Sequence, residues 1–292
     1  MLTAVARAFR TPDLRKKLLF TLLIMAIFRL GSAIPTPGVS YTLVAQCIQG
    51  ADPTTGFIGL ANLFSGGALL QLSIFALGIM PYITATIIVQ LLTVVIPRFE
   101  ALKKEGQSGQ TKMTQYSRYL TIGLAILQSS TLITFARAPN QIFGGTCEKI
   151  LADDSMTTIV IMVLTLTAGT GLIMWMGELI TDRGIGNGMS LLIFTSIASG
   201  FPGSLWAIQQ QEGRWDVFIG IILIGFLVMA LVIFVEQSQR RIPVQYAKRQ
   251  VGRRMYGGSS TYIPLKVNMA GVIPVIFASS LLALPALIAQ FA

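Results

Sequence analysis

Seven apolar segments, most of them about as long as a bilayer is thick, alternate with polar stretches along the chain. They fall at roughly 18–35, 74–96, 119–136, 157–178, 188–205, 216–236 and 268–290. A membrane-spanning helix needs about 20 mostly apolar residues, and the fifth segment is the weakest because it is short and rich in Gly and Ser. The pattern predicts an all-α polytopic membrane protein.

Composition supports this interpretation. Hydrophobic residues make up 53% of the 292-residue chain, charged residues only 12%, and the mean hydropathy is +0.70. Soluble domains carry roughly a quarter charged residues. A very apolar soluble protein is the alternative, but it would need shorter apolar runs than these.

The basic residues predict an orientation. Five of them precede the first apolar segment, as in a signal peptide, but no clear cleavage site follows and more spans do, so we expect a retained first span. With the N-terminus in the cytoplasm, eighteen of the 22 Lys and Arg residues fall on the cytoplasmic side, seven of them in the loop 237–267. Cytoplasmic loops of membrane proteins carry such an excess.

Several kinds of catalytic and coupling site are missing from the sequence. There is no histidine, and all twelve acidic residues fall in loops or at span ends. Ion-coupled transporters usually place a carboxylate near the middle of the membrane. The Gly-rich stretch 184–188 does not follow a strand, so it is a weak nucleotide-binding candidate. We expect a passive conduit that is not an enzyme and holds no metal or cofactor.

Two features predict irregular backbone at membrane depth. The apolar stretch 56–71 is interrupted by Gly66 and Gly67 and runs directly into the second span, which predicts a half-inserted helix; an amphipathic helix on the outer surface is the alternative. The pattern G-x-x-P-x-I-x-A occurs at 78–85 and again at 271–278. Spans two and seven run in opposite senses, as in an inverted repeat of five spans. A second repeat needs three further spans, so we expect this chain to be truncated.

Three residues leave alternatives open. Arg29 is the one basic residue within a predicted span; either it has a partner inside the bundle or its long side chain reaches toward the interface. Cys47 and Cys147 both fall in predicted outside loops, where a disulfide is allowed. Two unrelated free thiols are the favoured alternative, because sequence does not give their separation.

Motifs spread along the chain resemble the SecY family of protein-conducting channels. They are LANLFSGGA at 60–68, IFALGIMPYI at 74–83, KKEG at 103–106, ELITDRGIGNG at 178–188, YAKRQ at 246–250 and PLKVNMAGVIP at 264–274. The resemblance implies a clamshell-like channel with about seven of its ten spans present. Residues 1–205 would be the N-terminal half, with spans one to five and a re-entrant plug helix at about 58–71. Residues 206–292 would begin the C-terminal half, with spans six and seven.

The resemblance also implies function and partners. Such a channel passes unfolded secretory proteins across the bacterial plasma membrane and releases transmembrane helices into the lipid. The SecA motor or the ribosome would drive it, and SecE, SecG, signal sequences, nascent chains and membrane lipids would be further partners. A secondary transporter, also built from inverted repeats, is the alternative from another functional class.

Site residues follow from the same resemblance. A narrow apolar ring that excludes ions would comprise Ile79, Ile83, Met189, Ile193 and Ile276, although these could be ordinary core residues. The plug would include Asn62, Leu63, Phe64, Ser65, Gly66 and Gly67. The lateral gate would include Pro81, Pro274, Gln90 and Gln128, where the two glutamines could instead form unrelated interhelical hydrogen bonds. Docking of the ribosome or SecA would use Lys248, Arg249, Arg253 and Arg254, where topology or anionic lipid is the alternative.

Overall fold

The computed structural model describes most of the chain. The described residues are 11–40, 43–44, 65–137, 150–151, 155–212, 215–245, 249–251, 254–256 and 260–268. The chain divides into two compact units, Met1–Ser204 and Leu205–Ala292. That these units correspond to the two halves of a pseudo-symmetric channel stays a prediction.

Seven helices and four short strands make up the described part of the chain. The helices are α1 Pro12–Ala33, α2 Met80–Val95, α3 Pro97–Lys104, α4 Gln107–Arg137, α5 Met156–Arg183, α6 Gly188–Glu212 and α7 Trp215–Gln237. The strands are β1 Gln239–Gln245, β2 Arg249–Val251, β3 Arg254–Tyr256 and β4 Ser260–Lys266. Proline stands in the first turn of α1, α2 and α3, where its missing N–H costs no hydrogen bond.

Helices occupy the first six predicted apolar segments, and the seventh lies almost wholly outside the described residues. By length and composition, two described helices can cross a membrane, Met156–Arg183 and Phe218–Gln237. A third is added if α2 and α3, which meet at a bend of 100°, count as one broken span. The apolar part of α6, Gly188–Gly203, is shorter. The predicted helical membrane fold is confirmed, while the count of seven spans stays a prediction.

The second span does not begin where the sequence pattern placed it. We expected it from residue 74, but α2 starts at Met80, and residues 66–79 form successive turns instead. The backbone has positive φ at Gly66, Gly67, Leu72 and Gly78. A right-handed helix cannot continue through such residues, so apolar character alone gave the wrong helix start.

The predicted half-helix at about 58–71 is also altered. Its residues up to Phe64 lie outside the described part, and from Gly66 onward the chain makes turns rather than a helix. We call residues 65–79 the irregular segment. Most of it is buried, with Gln71 exposed, so its described part is not a helix on the outer surface.

Two apolar clusters form the interior of the first unit, and the irregular segment contributes to both. One cluster joins Leu70, Leu72 and Leu77 to Met162 and Leu166 of α5. The other joins Phe75 and Ile79 to residues of α1, α5 and α6, namely Ile24, Phe28, Ile173, Met176, Ile180 and Leu192. The irregular segment therefore lies inside the helix bundle of this unit.

The second unit has a long apolar helix followed by strands. None of the side chains in the apolar window of Phe218–Gln237 is buried, which suits contact with lipid or another helix. The basic loop predicted at 237–267 contains two antiparallel pairs, β1 with β4 and β2 with β3. The sequence predicted only a basic loop here, and Pro243 and Pro264 lie within β1 and β4. Each pair has only two strands, so every strand is an edge strand, where proline is tolerated although it has no N–H to donate.

Candidate pore and plug site

The irregular segment satisfies its backbone through the chain that follows α1. Thr36 donates from its backbone N (3.0 Å) and its Oγ1 (2.5 Å) to the carbonyl of Leu72. Ile74 N donates to the carbonyl of Ile34 at 3.0 Å. Non-helical backbone is stable at membrane depth only when it is buried in protein or lines a cavity. These contacts fix the middle of the segment, around residues 72–74, beside the C-terminal end of α1.

Arg29 binds the N-terminal end of the irregular segment, at Gly66. Its Nη1 donates to the carbonyl of Gly66 at 2.8 Å, across 37 positions of sequence. The same nitrogen lies 3.4 Å from Ser32 Oγ, and Ser32 Oγ donates to the carbonyl of Arg29 at 2.7 Å. The structure gives Arg29 a partner, the carbonyl of the buried Gly66, although Arg29 itself is exposed.

Gly66 also packs against α6. A Cβ built on Gly66 would lie 2.9 Å from the carbonyl oxygen of Ser196 and 3.1 Å from Ser199 Oγ, and its φ is +68°. Both the backbone conformation and the close approach therefore require glycine. Gly67 differs, because a Cβ there would meet nothing within 4 Å. Close packing is thus observed at Gly66 and not at Gly67.

Four of the five predicted ring residues meet in one apolar cluster. Ile79 is buried there, and Ile83, Met189 and Ile193 are partly buried against it. Ile79 and Ile83 lie at and near the start of α2, and Met189 and Ile193 lie in the first turns of α6. Ile276 lies outside the described residues. The structure brings the four together, and their role as a pore ring stays a prediction.

The turn between α5 and α6 positions Met189. Asn187 Oδ1 accepts hydrogen bonds from the backbone N of Met189 (3.0 Å) and Ser190 (3.3 Å), which caps the start of α6. Thr181 Oγ1 accepts from the backbone N of Gly188 at 2.9 Å. A Cβ on Gly177 would lie 2.4 Å from Met189 Sδ. The Gly-rich stretch 184–188 thus has a structural role that explains its composition.

The predicted gate residues lie on two helices that pack together. Pro81 is buried in the first turn of α2, Gln90 is exposed further along α2, and Gln128 is half-buried on α4. Helices α2 and α4 contact one another. Pro274 lies outside the described residues. A gating role for these residues remains a prediction.

The remaining predicted site residues are only partly described. Of the plug candidates, Asn62, Leu63 and Phe64 lie outside the described residues, whereas Ser65 is buried and its Oγ accepts from Leu69 N at 3.0 Å. Of the docking candidates, Lys248 and Arg253 lie outside the described residues, and Arg249 and Arg254 belong to the paired strands β2 and β3. Cys47 and Cys147 also lie outside the described residues.

Two contacts near the cluster were not anticipated. Arg118 Nε donates to Glu178 Oε1 at 2.8 Å, joining α4 to the end of α5. Phe28 of α1 stacks on Phe75, with ring centroids 5.8 Å apart. The stack depends on Gly31, where a Cβ would lie only 2.1 Å from the ring of Phe75. The paired residues are tens of positions apart, so local sequence patterns could not have revealed either contact.

Comparison with known proteins assigns the chain to a family. The SecY family profile matches residues 73–292, three quarters of the chain. The chain belongs to the SecY family. The chain is similar over its full length to the protein translocase subunit SecY of Streptomyces galbus, at 65% identity and covering 68% of that protein. It is also similar to the same subunit of Mycobacterium tuberculosis, at 58% identity over 99% of the chain and 66% of that protein.

Solved structures of SecY family members and their relatives share the fold. A structure described as a protein conducting channel matches with a TM-score of 0.60 and 18% identity, covering 93% of this chain and 57% of that one. Sec61 in a canine ribosome–channel complex from the endoplasmic reticulum matches with a TM-score of 0.59 and 17% identity. This chain thus spans about two thirds of the curated SecY proteins quoted and 57% of each of these channel structures.

Proposed function

We propose that this chain forms part of a protein-conducting channel that moves unfolded secretory proteins across the plasma membrane. One observation carries the proposal: the irregular segment is buried beside an apolar cluster of Ile79, Ile83, Met189 and Ile193. The similarity to translocase subunits of other bacteria supports it. A transporter for small polar solutes would need polar groups at such a site, and the side chains of these four residues offer none.

The cluster suits a seal around a moving polypeptide. Apolar side chains at a narrow constriction exclude water and so block ions. They also present no hydrogen-bonding group that would retain a passing chain. Met189 is flexible and can fill gaps of irregular shape. We propose that these four residues, with Ile276, contact the translocating chain and close around it.

The irregular segment would provide the plug. A solved SecY structure similar in fold to this chain, with a TM-score of 0.57, is described as having a plug domain that stabilises the closed state and maintains a membrane seal. Here, residues 65–71 overlap the predicted plug and pack among the helices of the first unit. Displacing residues 65–71 would open the space that they fill near the cluster. Spans two and seven, with α4 beside α2, would form part of a lateral gate near Pro81, Pro274, Gln90 and Gln128 that releases apolar helices sideways into lipid.

The basic loop suits a cytoplasmic partner. Arg240 and Arg241 are exposed on β1, and the Arg241 guanidinium lies 4.8 Å from the centroid of the Tyr262 ring. Lys248, Arg249, Arg253 and Arg254 add four further cations to the same loop. Arginine is well suited to phosphate contacts on ribosomal RNA. We propose that the loop docks the ribosome or SecA, that SecA supplies the ATPase, and that the N-terminus of the chain is cytoplasmic.

Reconstitution tests this function. The full-length protein would be placed in liposomes with SecE and SecG, and protease protection of a secretory precursor would be measured after adding SecA and ATP. We expect protected precursor only when its signal sequence is intact, with a signal-deleted precursor as the control. Uptake of a small solute without any export of precursor would contradict the proposal and favour a transporter.

A further inference from the structure

Arg29 lies within the first predicted membrane span, where a charge would be costly. It lies on α1, eleven residues into the first predicted apolar segment. A basic side chain within a span generally pairs with another group or reaches the interface. Here the guanidinium binds the carbonyl of Gly66 at 2.8 Å, on a stretch of backbone that is not helical. The hydrogen bond gives the charged guanidinium an acceptor, and it gives the carbonyl of the non-helical backbone a donor.

We propose that Arg29 is the positioning residue that holds the plug of this channel in its closed place, through its hydrogen bond to the Gly66 carbonyl. The inference rests on the proposed function, because it assigns a role within that channel. It adds a residue of the first span to a site otherwise built from α2, α6 and the irregular segment.

Contacts from two helices converge on Gly66. From α1, Arg29 binds the carbonyl, and the nearby Ser32, which is buried, lies within 3.4 Å of the same guanidinium nitrogen. From α6, the backbone of Ser196 lies so close that a Cβ on Gly66 would be 2.9 Å from its oxygen. The carbonyl of Gly66 is thus held on one side while its Cα lies against α6. Loss of Arg29 removes the one charged contact of this set.

The Arg29 hydrogen bond restrains only the chain around Gly66, so breaking it could release that part alone. Next to Gly66, Gly67 also has a positive φ and has open space where a side chain would be. Two adjacent glycines can change conformation at little steric cost. The firmer attachment lies further on, where Thr36 and Ile34 bind Leu72 and Ile74. Breaking the Arg29 bond would loosen residues 65–69, while Leu70 stays in the apolar cluster with α5 and Leu72 and Ile74 stay bonded to the chain after α1.

Hydrogen exchange measures this hold without requiring transport. The full-length protein in nanodiscs would be compared with Arg29→Leu, Arg29→Gln and Arg29→Lys, following peptides that cover residues 65–73 and residues 156–183. A hydrogen bond from a charged donor contributes enough that exchange of Ala68 and Leu69 amides should speed up about tenfold in Arg29→Leu. Arg29→Lys keeps a cationic donor and should recover most of the protection. Exchange in α5 should not change.

Arg15→Gln provides the matched control, because it removes an arginine from the same helix far from the irregular segment. Resting ion conductance of the same samples gives a second measurement, and we expect it to rise in Arg29→Leu and Arg29→Gln but not in Arg15→Gln. Unchanged exchange in residues 65–73 together with unchanged conductance would overturn the proposal. If Arg29→Leu does not accumulate in the membrane, Arg29→Gln and Arg29→Lys give the same comparison.

Failure of this inference can be separated from failure of the proposed function. If the wild-type protein exports precursor but the Arg29 variants show no change in exchange or conductance, only the role of Arg29 is wrong. If the wild-type protein exports no precursor, the channel assignment is wrong, and with it the role of Arg29 in a channel, whatever the exchange data show.

Discussion

Gly169 on α5 should tolerate no side chain, because the irregular segment lies directly against it. A Cβ built there would be 2.1 Å from the carbonyl oxygen of Ile74 and 3.0 Å from the Ile74 Cγ2. Real Cβ atoms essentially never come closer than 3.0 Å to a neighbour, so Gly169→Ala would push the segment from α5 by roughly 1 Å. The clash is with backbone, which cannot move aside by rotating a side chain.

The expected cost can be set against a matched variant. Overpacking costs about 1–3 kcal/mol, and Gly169→Ala should lie toward the upper end because Ile74 N is also bonded to the Ile34 carbonyl. Gly171 lies two residues along the same helix, and a Cβ there meets nothing within 4 Å. Gly171→Ala should therefore stabilise α5 by up to about 1 kcal/mol through helix propensity. Both substitutions replace glycine with alanine, yet they should change the stability in opposite directions.

Equilibrium unfolding of the full-length protein in mixed micelles, titrated with a denaturing detergent, measures the difference. Trp175 is on α5, and its fluorescence reports unfolding of that helix. Gly169→Ala should be less stable than Gly171→Ala by about 2 kcal/mol or more. Equal stability of the two variants would refute the packing of the irregular segment against α5.

Three further tests compare polar side chains that differ in burial and in hydrogen bonding. Asn187→Ala removes the cap of α6 and should cost about 1 kcal/mol in the same unfolding assay, with Asn187→Asp retaining most of the stability; a neutral Asn187→Ala would contradict the capping role. Ser73→Ala should be neutral or stabilising, because Ser73 Oγ is buried and has no hydrogen-bond partner in the structure; a loss above about 1 kcal/mol would mean that the hydroxyl is bonded. A double-mutant cycle on Arg118→Gln and Glu178→Gln should give a coupling of about 1 kcal/mol or less, because the arginine side chain is 47% exposed; a much larger value would place the pair in a drier site.

Sequence could predict the helices because length and apolar character are local properties. Each of α1, α4, α5, α6 and α7 falls on a predicted apolar segment. The glycine pair at 66–67 correctly indicated irregular backbone, since positive φ favours glycine. The four ring candidates that the structure describes were identified through the family resemblance and meet in one cluster. Their grouping depends on tertiary packing, which the i, i+4 spacing alone could not establish.

Other features depend on contacts between distant residues. The partner of Arg29 is 37 positions away, and Glu178 is 60 positions from Arg118. The start of α2 at Met80 was missed because residues 74–79 are as apolar as the helix that follows. What interrupts the helix is the positive φ at Gly78, a backbone conformation that hydrophobicity does not reveal. Strands β1 and β4 pair through a register that joins residues 239–245 to 260–266, around two shorter strands. Such pairing across a loop leaves little local signal.

Site-specific photo-crosslinking tests most directly whether the apolar cluster lines the path of the translocating chain. A photoreactive amino acid would be placed at residue 83 or 193, and at residue 164 as a control, since Leu164 on α5 is 63% exposed. A secretory precursor would be arrested during SecA-driven transport through the full-length channel, then irradiated. We expect crosslinks to the precursor from positions 83 and 193 and none from position 164. Crosslinks from position 164 alone, with positions 83 and 193 unreactive toward the arrested chain, would contradict a pore lined by the apolar cluster.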